Sequence, residues 1–90
     1  MFPFWIATKP AGGAVVVPDA PQYAAAFRTL NGAVAFLERA GVSEFEFHLV
    51  SRVTFAEIEP RLRQSHLVGL CFDPGGKRRR IPFENVGRIL

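Results

Sequence analysis

The alternation of apolar and polar residues is clearest over residues 43–52. One side carries Phe45, Phe47 and Leu49, and the other carries glutamates and His48. This pattern is typical of a strand with one buried face and one face in water. We therefore expect a strand here, with its phenylalanine face central to the core.

The N-terminal part of the chain predicts a first hairpin. Residues 4–8 and 14–17 are rich in strand-forming side chains, and the segment 9–13 between them holds a proline and two glycines. β-Branched and aromatic residues favour strands, whereas proline and glycine favour turns.

A second pair of strands is predicted near the C-terminus. Residues 67–72 form an almost continuous apolar run, as in an interior strand, and the turn 73–76 follows with the sequence Asp-Pro-Gly-Gly. Residues 77–83 return as a strand, in which Pro82 marks an edge or an end. Residues 84–90 predict a last short helical turn.

Helical spacing is clearest from Leu30 to Ala40. Thr29 is a suitable N-cap, and Gly41 suits the left-handed position after a helix. Val42 is then placed to contact Leu37, as that type of helix ending requires.

A second helix is predicted from a capping box at Thr54 and Glu57. Val53 and Ile58 flank it as a hydrophobic staple. Pro60 lies too deep to be a first-turn proline, so we expect a kink or a second short turn there.

Residues 19–29 fit two interpretations. A helical stripe runs from Tyr23 through Phe27 towards residue 37, but it places Gly32 in the middle of a helix and leaves Thr29 unused as a cap. A strand over 22–28 followed by the helix from residue 30 avoids both problems. We favour the strand and keep the helix as an alternative.

These elements give the order β-β-(β)-α-β-α-β-β. Helices interspersed with hairpins indicate an α+β fold with a mixed, mostly antiparallel sheet. We expect one small domain over residues 1–90, with both helices packed on one face of the sheet.

The layout resembles the N-terminal domain of the enhanced-serine-sensitivity (SseB-like) proteins. The segments that carry this resemblance are Val15-Val16-Val17-Pro18, Ala26-Phe27-Arg28-Thr29-Leu30, Ala35-Phe36-Leu37 and Leu70-Cys71-Phe72-Asp73-Pro74-Gly75. The resemblance implies the strand interpretation of 22–28 and an α+β fold. It implies no catalytic residues.

Composition limits the classes of protein. Hydrophobic residues make up 49% of the 90 residues and charged residues 21%, which excludes a mostly disordered chain. A single cysteine excludes a disulfide scaffold and a multi-cysteine zinc site. No run spans a membrane and the N-terminus lacks a signal-peptide pattern, so we expect a cytoplasmic protein.

The net charge of +3 arises from one segment, Lys77-Arg78-Arg79-Arg80. Without these four residues, seven basic residues stand against eight acidic ones. This basic run is either a charged edge strand that resists pairing with other chains, or a site for nucleic-acid phosphates or an acidic protein. Convergence of its side chains with Arg61, Arg63 and Arg88 favours nucleic acid, and divergence over both faces of an edge strand disfavours it.

The candidate chemical groups do not form a catalytic motif. Cys71 lies in an apolar run and is expected to be a buried structural thiol, distant from His66 along the strand. His48 and Glu46 offer two metal ligands on one strand face, but no third ligand is spaced to help. We therefore expect no cofactor and no metal. Glu57 and Glu59 do not form a catalytic carboxylate pair.

The aromatic N-terminus, with Phe2, Phe4 and Trp5, either covers the core or forms an apolar patch for self-association. The sequence as a whole predicts a non-catalytic protein-interaction domain, whose partner is another protein or a second copy of the chain. A nucleic-acid-binding module that uses residues 77–80 is the alternative, and an enzyme is not expected.

Overall fold

One mixed sheet of six strands organises the fold in the computed structural model, which describes residues 2–87. The strands are β1 (Phe4–Thr8), β2 (Val16–Val17), β3 (Ala20–Phe27), β4 (Glu46–Val50), β5 (Gly69–Phe72) and β6 (Arg79–Pro82), and the helices are α1 (Leu30–Arg39), α2 (Arg52–Gln64) and α3 (Phe83–Val86). The predicted α+β class and single small domain are confirmed.

The strand order is β4-β1-β3-β5-β6, with β2 paired to the first part of β3. The parallel pair is β3 with β5, and the other pairs between described strands are antiparallel. The chain leaves β3, forms α1, β4 and α2, and returns as β5 beside β3. This topology leaves β4 and β6 as the two edges of the main sheet.

The two long helices lie on opposite faces of the sheet, so the prediction that both pack on one face is wrong. Ala33 of α1 packs in a cluster with Phe27 and Cys71, whereas Phe55 and Leu62 of α2 pack in the cluster on the other face. We call these the α1 face and the α2 face. The short helix α3 also packs on the α2 face.

Coverage on both faces explains the composition of the central strands. All four residues of β5 are buried, as is the segment 24–27 of β3. A strand with a helix on each side has no position for a polar side chain, and its sequence becomes a continuous apolar run. The strand β3 runs from Ala20 to Phe27, which confirms the strand interpretation that we favoured, with its end one residue before the predicted one.

The start of α1 shows how Gly32 is accommodated. Thr29 is the N-cap, and its Oγ1 accepts a hydrogen bond from the Gly32 N–H at 3.1 Å. Gly32 therefore stands in the first turn, not in a helix interior. The predicted ending is also confirmed, because Gly41 has φ +73° and the Val42 N–H donates to the Leu37 carbonyl.

The strand β4 exists as predicted, but its phenylalanine face is not central to the core. Phe45 and Phe47 are half-buried and Leu49 is 51% exposed, whereas Val50 on the other face is fully buried. The reason is topological, since β4 is an edge strand and α1 covers only part of it.

Helix α2 begins one turn earlier than predicted. Ser51 is the N-cap, and it forms a reciprocal capping box with Thr54. Val53 then lies in the first turn at 75% exposure, so the predicted staple is absent. The helix is continuous through Pro60 to Gln64, and no separate short turn follows the proline.

The C-terminal hairpin is confirmed as an interior strand followed by an edge strand. Gly69 of β5 is required there, because a Cβ at this position would overlap the carbonyl oxygen of Ile81 in β6. The last predicted turn is observed as α3, and residues 88–90 lie outside the described part of the chain.

Candidate functional site

The basic run is divided between the two faces of the sheet edge. Arg79 is paired with Phe72, whose side chain lies on the α2 face, and Arg80 is paired with Cys71 on the α1 face. Side chains of cross-strand partners point to the same side of a sheet. Consecutive arginines of β6 therefore diverge, and Lys77 lies in the turn before the strand.

Two arginines of the run are engaged within the molecule. Arg78 forms a two-pronged ion pair with Asp19, with N–O distances of 2.6 and 3.1 Å. This hydrogen bond holds the pKa of the Asp19 carboxyl below its usual value and raises the pKa of Arg78. The guanidinium of Arg80 lies 5.7 Å from the ring centre of Tyr23.

The other arginines expected to join a basic patch are occupied elsewhere or lie outside the described residues. Arg63 forms ion pairs with Glu59 and Glu84 and lies over the Phe83 ring. Arg61 faces a cavity beside β4, at the opposite edge of the sheet. Arg88 falls outside residues 2–87. This arrangement does not favour a continuous phosphate-binding surface.

Cys71 is a fully buried thiol on the α1 face. Burial raises its pKa above the usual value, so the neutral thiol is the stable form at neutral pH. His48 lies on the other face of the sheet, because its partner Ile6 belongs to the α2-face cluster. The two groups needed for a Cys–His nucleophile are therefore separated by the sheet.

His48 and Glu46 share the α2 face of β4, as the alternation predicts. The Nε2 atom of His48 lies 2.8 Å from Thr8 Oγ1 on the neighbouring strand β1. Within residues 2–87, no three His, Cys, Asp or Glu side chains come together in a way that could hold a metal ion.

The N-terminal aromatic residues divide between the two faces. Phe4 is buried against Phe72, and Phe2 packs on Phe4 and Phe55 over the α2-face core. Trp5 points to the α1 face, where it is half-buried and contacts Phe47 of β4 edge to face. These residues cover core, and only Trp5 adjoins the exposed part of β4.

The edge strand β4 is the feature that sequence reasoning missed. The edge of β4 away from β1 has no partner strand among the described residues, and Leu49 beside it is 51% exposed. Residues 46–50 contain one charged residue, Glu46, and neither lysine nor proline, which protect an edge strand most clearly. The sequence signal for this feature is the lack of these protective residues, and it can be recognised only once the topology shows that β4 is an edge strand.

No family model, no curated protein and no solved structure matches the chain at a significant level. The resemblance to the SseB-like proteins thus stays a prediction. Over residues 2–87, no helix combines the length and apolar character needed to cross a membrane.

Proposed function

We propose that this domain is a non-catalytic protein-interaction module, and that it docks through β4 onto β4 of a second copy of the chain. The observation that carries the proposal is that the outer edge of β4 has no partner strand among residues 2–87 and lies beside the exposed Leu49. An edge strand with free backbone groups is a template for strand addition. A two-fold axis is the usual symmetry of such pairs.

Charge and apolar patterning support one particular register. When two antiparallel β4 strands pair with Phe47 at the two-fold axis, Phe45 of each copy lies opposite Leu49 of the other. On the α1 face this covers the exposed Leu49 with an aromatic ring. Burial of apolar surface favours this association.

The same register keeps like charges apart on the α2 face. Glu46 of each copy then lies opposite His48 of the other, and this pairing occurs twice. The two Glu46 carboxylates are therefore not directly opposite each other, a placement that would destabilise the sheet. The interface is short, as in transient complexes, so we expect dissociation in the micromolar range.

The proposal is tested by the mass of the native chain over a range of concentrations in analytical ultracentrifugation. We expect a dimer for the native chain and a monomer for Leu49→Lys, because an edge lysine opposes strand addition. Val53→Lys is the matched control, since Val53 is also an exposed apolar residue but lies on α2, and it should dimerise like the native chain. A native chain that stays monomeric at hundreds of micromolar, or a Leu49→Lys variant that dimerises normally, would overturn the proposal.

The register is tested by exchanging the two polar residues. His48→Glu places a carboxylate opposite Glu46 of the second copy and should raise the dissociation constant about tenfold, a change of about 1.4 kcal/mol. Adding Glu46→Lys creates opposite charges and should return the constant towards the native value. If the double variant dimerises no better than His48→Glu alone, this register is wrong.

A further inference from the structure

A cavity of about 340 Å³ lies on the α2 face, between the C-terminal half of α2, strands β1 and β4, and the turn 9–13. Small-molecule sites commonly begin at about this size, and they combine an apolar floor with a few placed polar groups. Its floor is formed by Ile6, Ala14, Ile58 and Leu62. These side chains belong to or pack on the α2-face core, so the floor is continuous with it.

The rim of the cavity is polar and carries more positive than negative charge. Lys9 and Arg61 supply two positive charges, and Glu46 supplies one negative charge. Neither Lys9 nor Arg61 has an ion-pair partner among residues 2–87, in contrast to Arg28, Arg63 and Arg78, which each pair with a carboxylate. Two unpaired cations at one rim favour an anionic ligand.

Two further groups shape the rim. Thr8 fixes the imidazole of His48 through the 2.8 Å contact between Oγ1 and Nε2. Gly12 and Gly13 also line the cavity, and because glycine has no side chain, neither residue fills the opening. The cavity is thus open to solvent over a rim whose polar groups are already in place.

From these features we infer that the cavity binds a small amphipathic anion, such as a carboxylate with a short aliphatic body. The carboxylate lies between Lys9 and Arg61, and the aliphatic part covers Ile6, Ile58 and Leu62. Neither the carboxylate nor the aliphatic part of the ligand is sufficient for binding, because the floor offers no polar partner and the charges at the rim are exposed to water. The cavity shares Glu46 and His48 with the proposed docking edge, whereas Leu49 points to the α1 face, away from the cavity.

The test is a titration of the native chain with hexanoate, followed by amide chemical shifts in two-dimensional NMR. We expect saturable shifts that cluster on the cavity lining, with binding at least about ten times weaker for acetate, hexan-1-ol and hexylamine. Acetate lacks the aliphatic body, hexanol lacks the charge, and the amine reverses it. Shifts scattered over the surface, or hexanol or hexylamine binding as well as hexanoate, would overturn the inference.

Variants of α2 supply the matched comparison. Arg61→Gln should weaken hexanoate about tenfold. Arg52→Gln, on the first turn of the same helix with its guanidinium over the Phe2 ring, should bind hexanoate like the native chain. An Arg61→Gln variant that keeps the native affinity would overturn the inference. Repeating the titration in Leu49→Lys tests the cavity independently of the proposed dimer. Hexanoate should bind this variant with the native affinity.

Discussion

The two edge strands of the sheet, β4 and β6, differ in the residues that they expose to solvent. β6 carries Arg79 and Arg80, which are both exposed, and it ends at Pro82. β4 spans Glu46–Val50 without a basic residue or a proline, and it leaves Leu49 half-exposed. Charged residues, lysine above all, and proline discourage strand addition. With two exposed arginines and a proline, β6 is better protected than β4, where Glu46 is the charged residue. We call β6 the closed edge and β4 the open edge.

The most conspicuous part of the sequence and the open edge of the sheet are different segments. The most conspicuous feature of the chain, the basic run, belongs to the closed edge, where Arg78 and Arg80 contact Asp19 and Tyr23. The open edge has no conspicuous feature at all. An inventory of charged motifs therefore draws attention to β6, whereas the topology draws it to β4, on which our proposal rests.

The largest effect is expected from detaching the closed edge. Gly69→Ala brings a Cβ into the carbonyl oxygen of Ile81 and to 2.9 Å from the Cα of Pro82, so the backbone of β6 must move away from β5. Overpacking of this kind lowers the free energy of unfolding by about 1–3 kcal/mol. Urea unfolding measures the change.

Gly87→Ala is the control for that variant. A Cβ at Gly87 meets nothing within 4 Å, and its φ of −79° suits any residue. We expect its free energy of unfolding to stay within about 0.5 kcal/mol of the native value. Equal stability of the two variants would contradict the close approach of β5 and β6.

Much of the fold follows from local patterns. The cap at Thr29, the ending at Gly41 and the apolar run of β5 each depend on residues close in sequence, and each is confirmed. The side of the sheet that each helix covers depends on crossovers between distant strands, and the sequence carries no local signal for it. The same reason explains the error at β4, because alternation marks a buried face without saying how deeply it is buried.

The candidate sites were less predictable than the fold. The buried state of Cys71 follows from its apolar neighbours, and the alternation of β4 placed Glu46 and His48 on one face. The cavity needs the turn 9–13 and Arg61 of α2 to meet beside β4, although some fifty residues separate them in sequence. The spacing of residues along the sequence does not show that two such distant segments lie side by side.

A second, intermediate effect is expected from opening the closed edge. Arg79→Thr combined with Arg80→Thr replaces two charges of β6 with strand-forming side chains. With both edges open, dimers joined through β4 can also join to other dimers through β6. Such an assembly does not close on itself, so it can continue to grow. Ultracentrifugation should then show species larger than the dimer, growing with concentration.

Two variants control for the loss of charge in that experiment. Lys77→Thr removes a positive charge from the turn and not from the strand, so it should leave the native mass distribution unchanged. Adding Leu49→Lys to the double arginine variant closes the β4 edge and should limit growth to pairs of chains. A double arginine variant that keeps the native mass would show that the arginines are not what closes β6.

The smallest effect is expected from the ion pair that anchors the closed edge. Asp19→Asn removes the charge that Arg78 contacts, and because both side chains are exposed to solvent we expect Tm to fall by no more than a few degrees. Arg78 lowers the pKa of Asp19 in the folded state through their hydrogen bond. The stabilisation is therefore complete above the usual carboxyl pKa of 3.8 and is lost as the pH falls through the lowered folded-state value.

Thermal unfolding of the native chain and Asp19→Asn at a series of pH values measures this. The difference in Tm should be present at pH 7, shrink with added salt and disappear in acid. Arg78→Gln should lower Tm similarly, and the double variant should be no less stable than the single ones, because both remove the same contact. Additive losses would mean that Arg78 acts at β6 independently of Asp19, and the closed edge would then depend on its free charge and not on an anchored arginine.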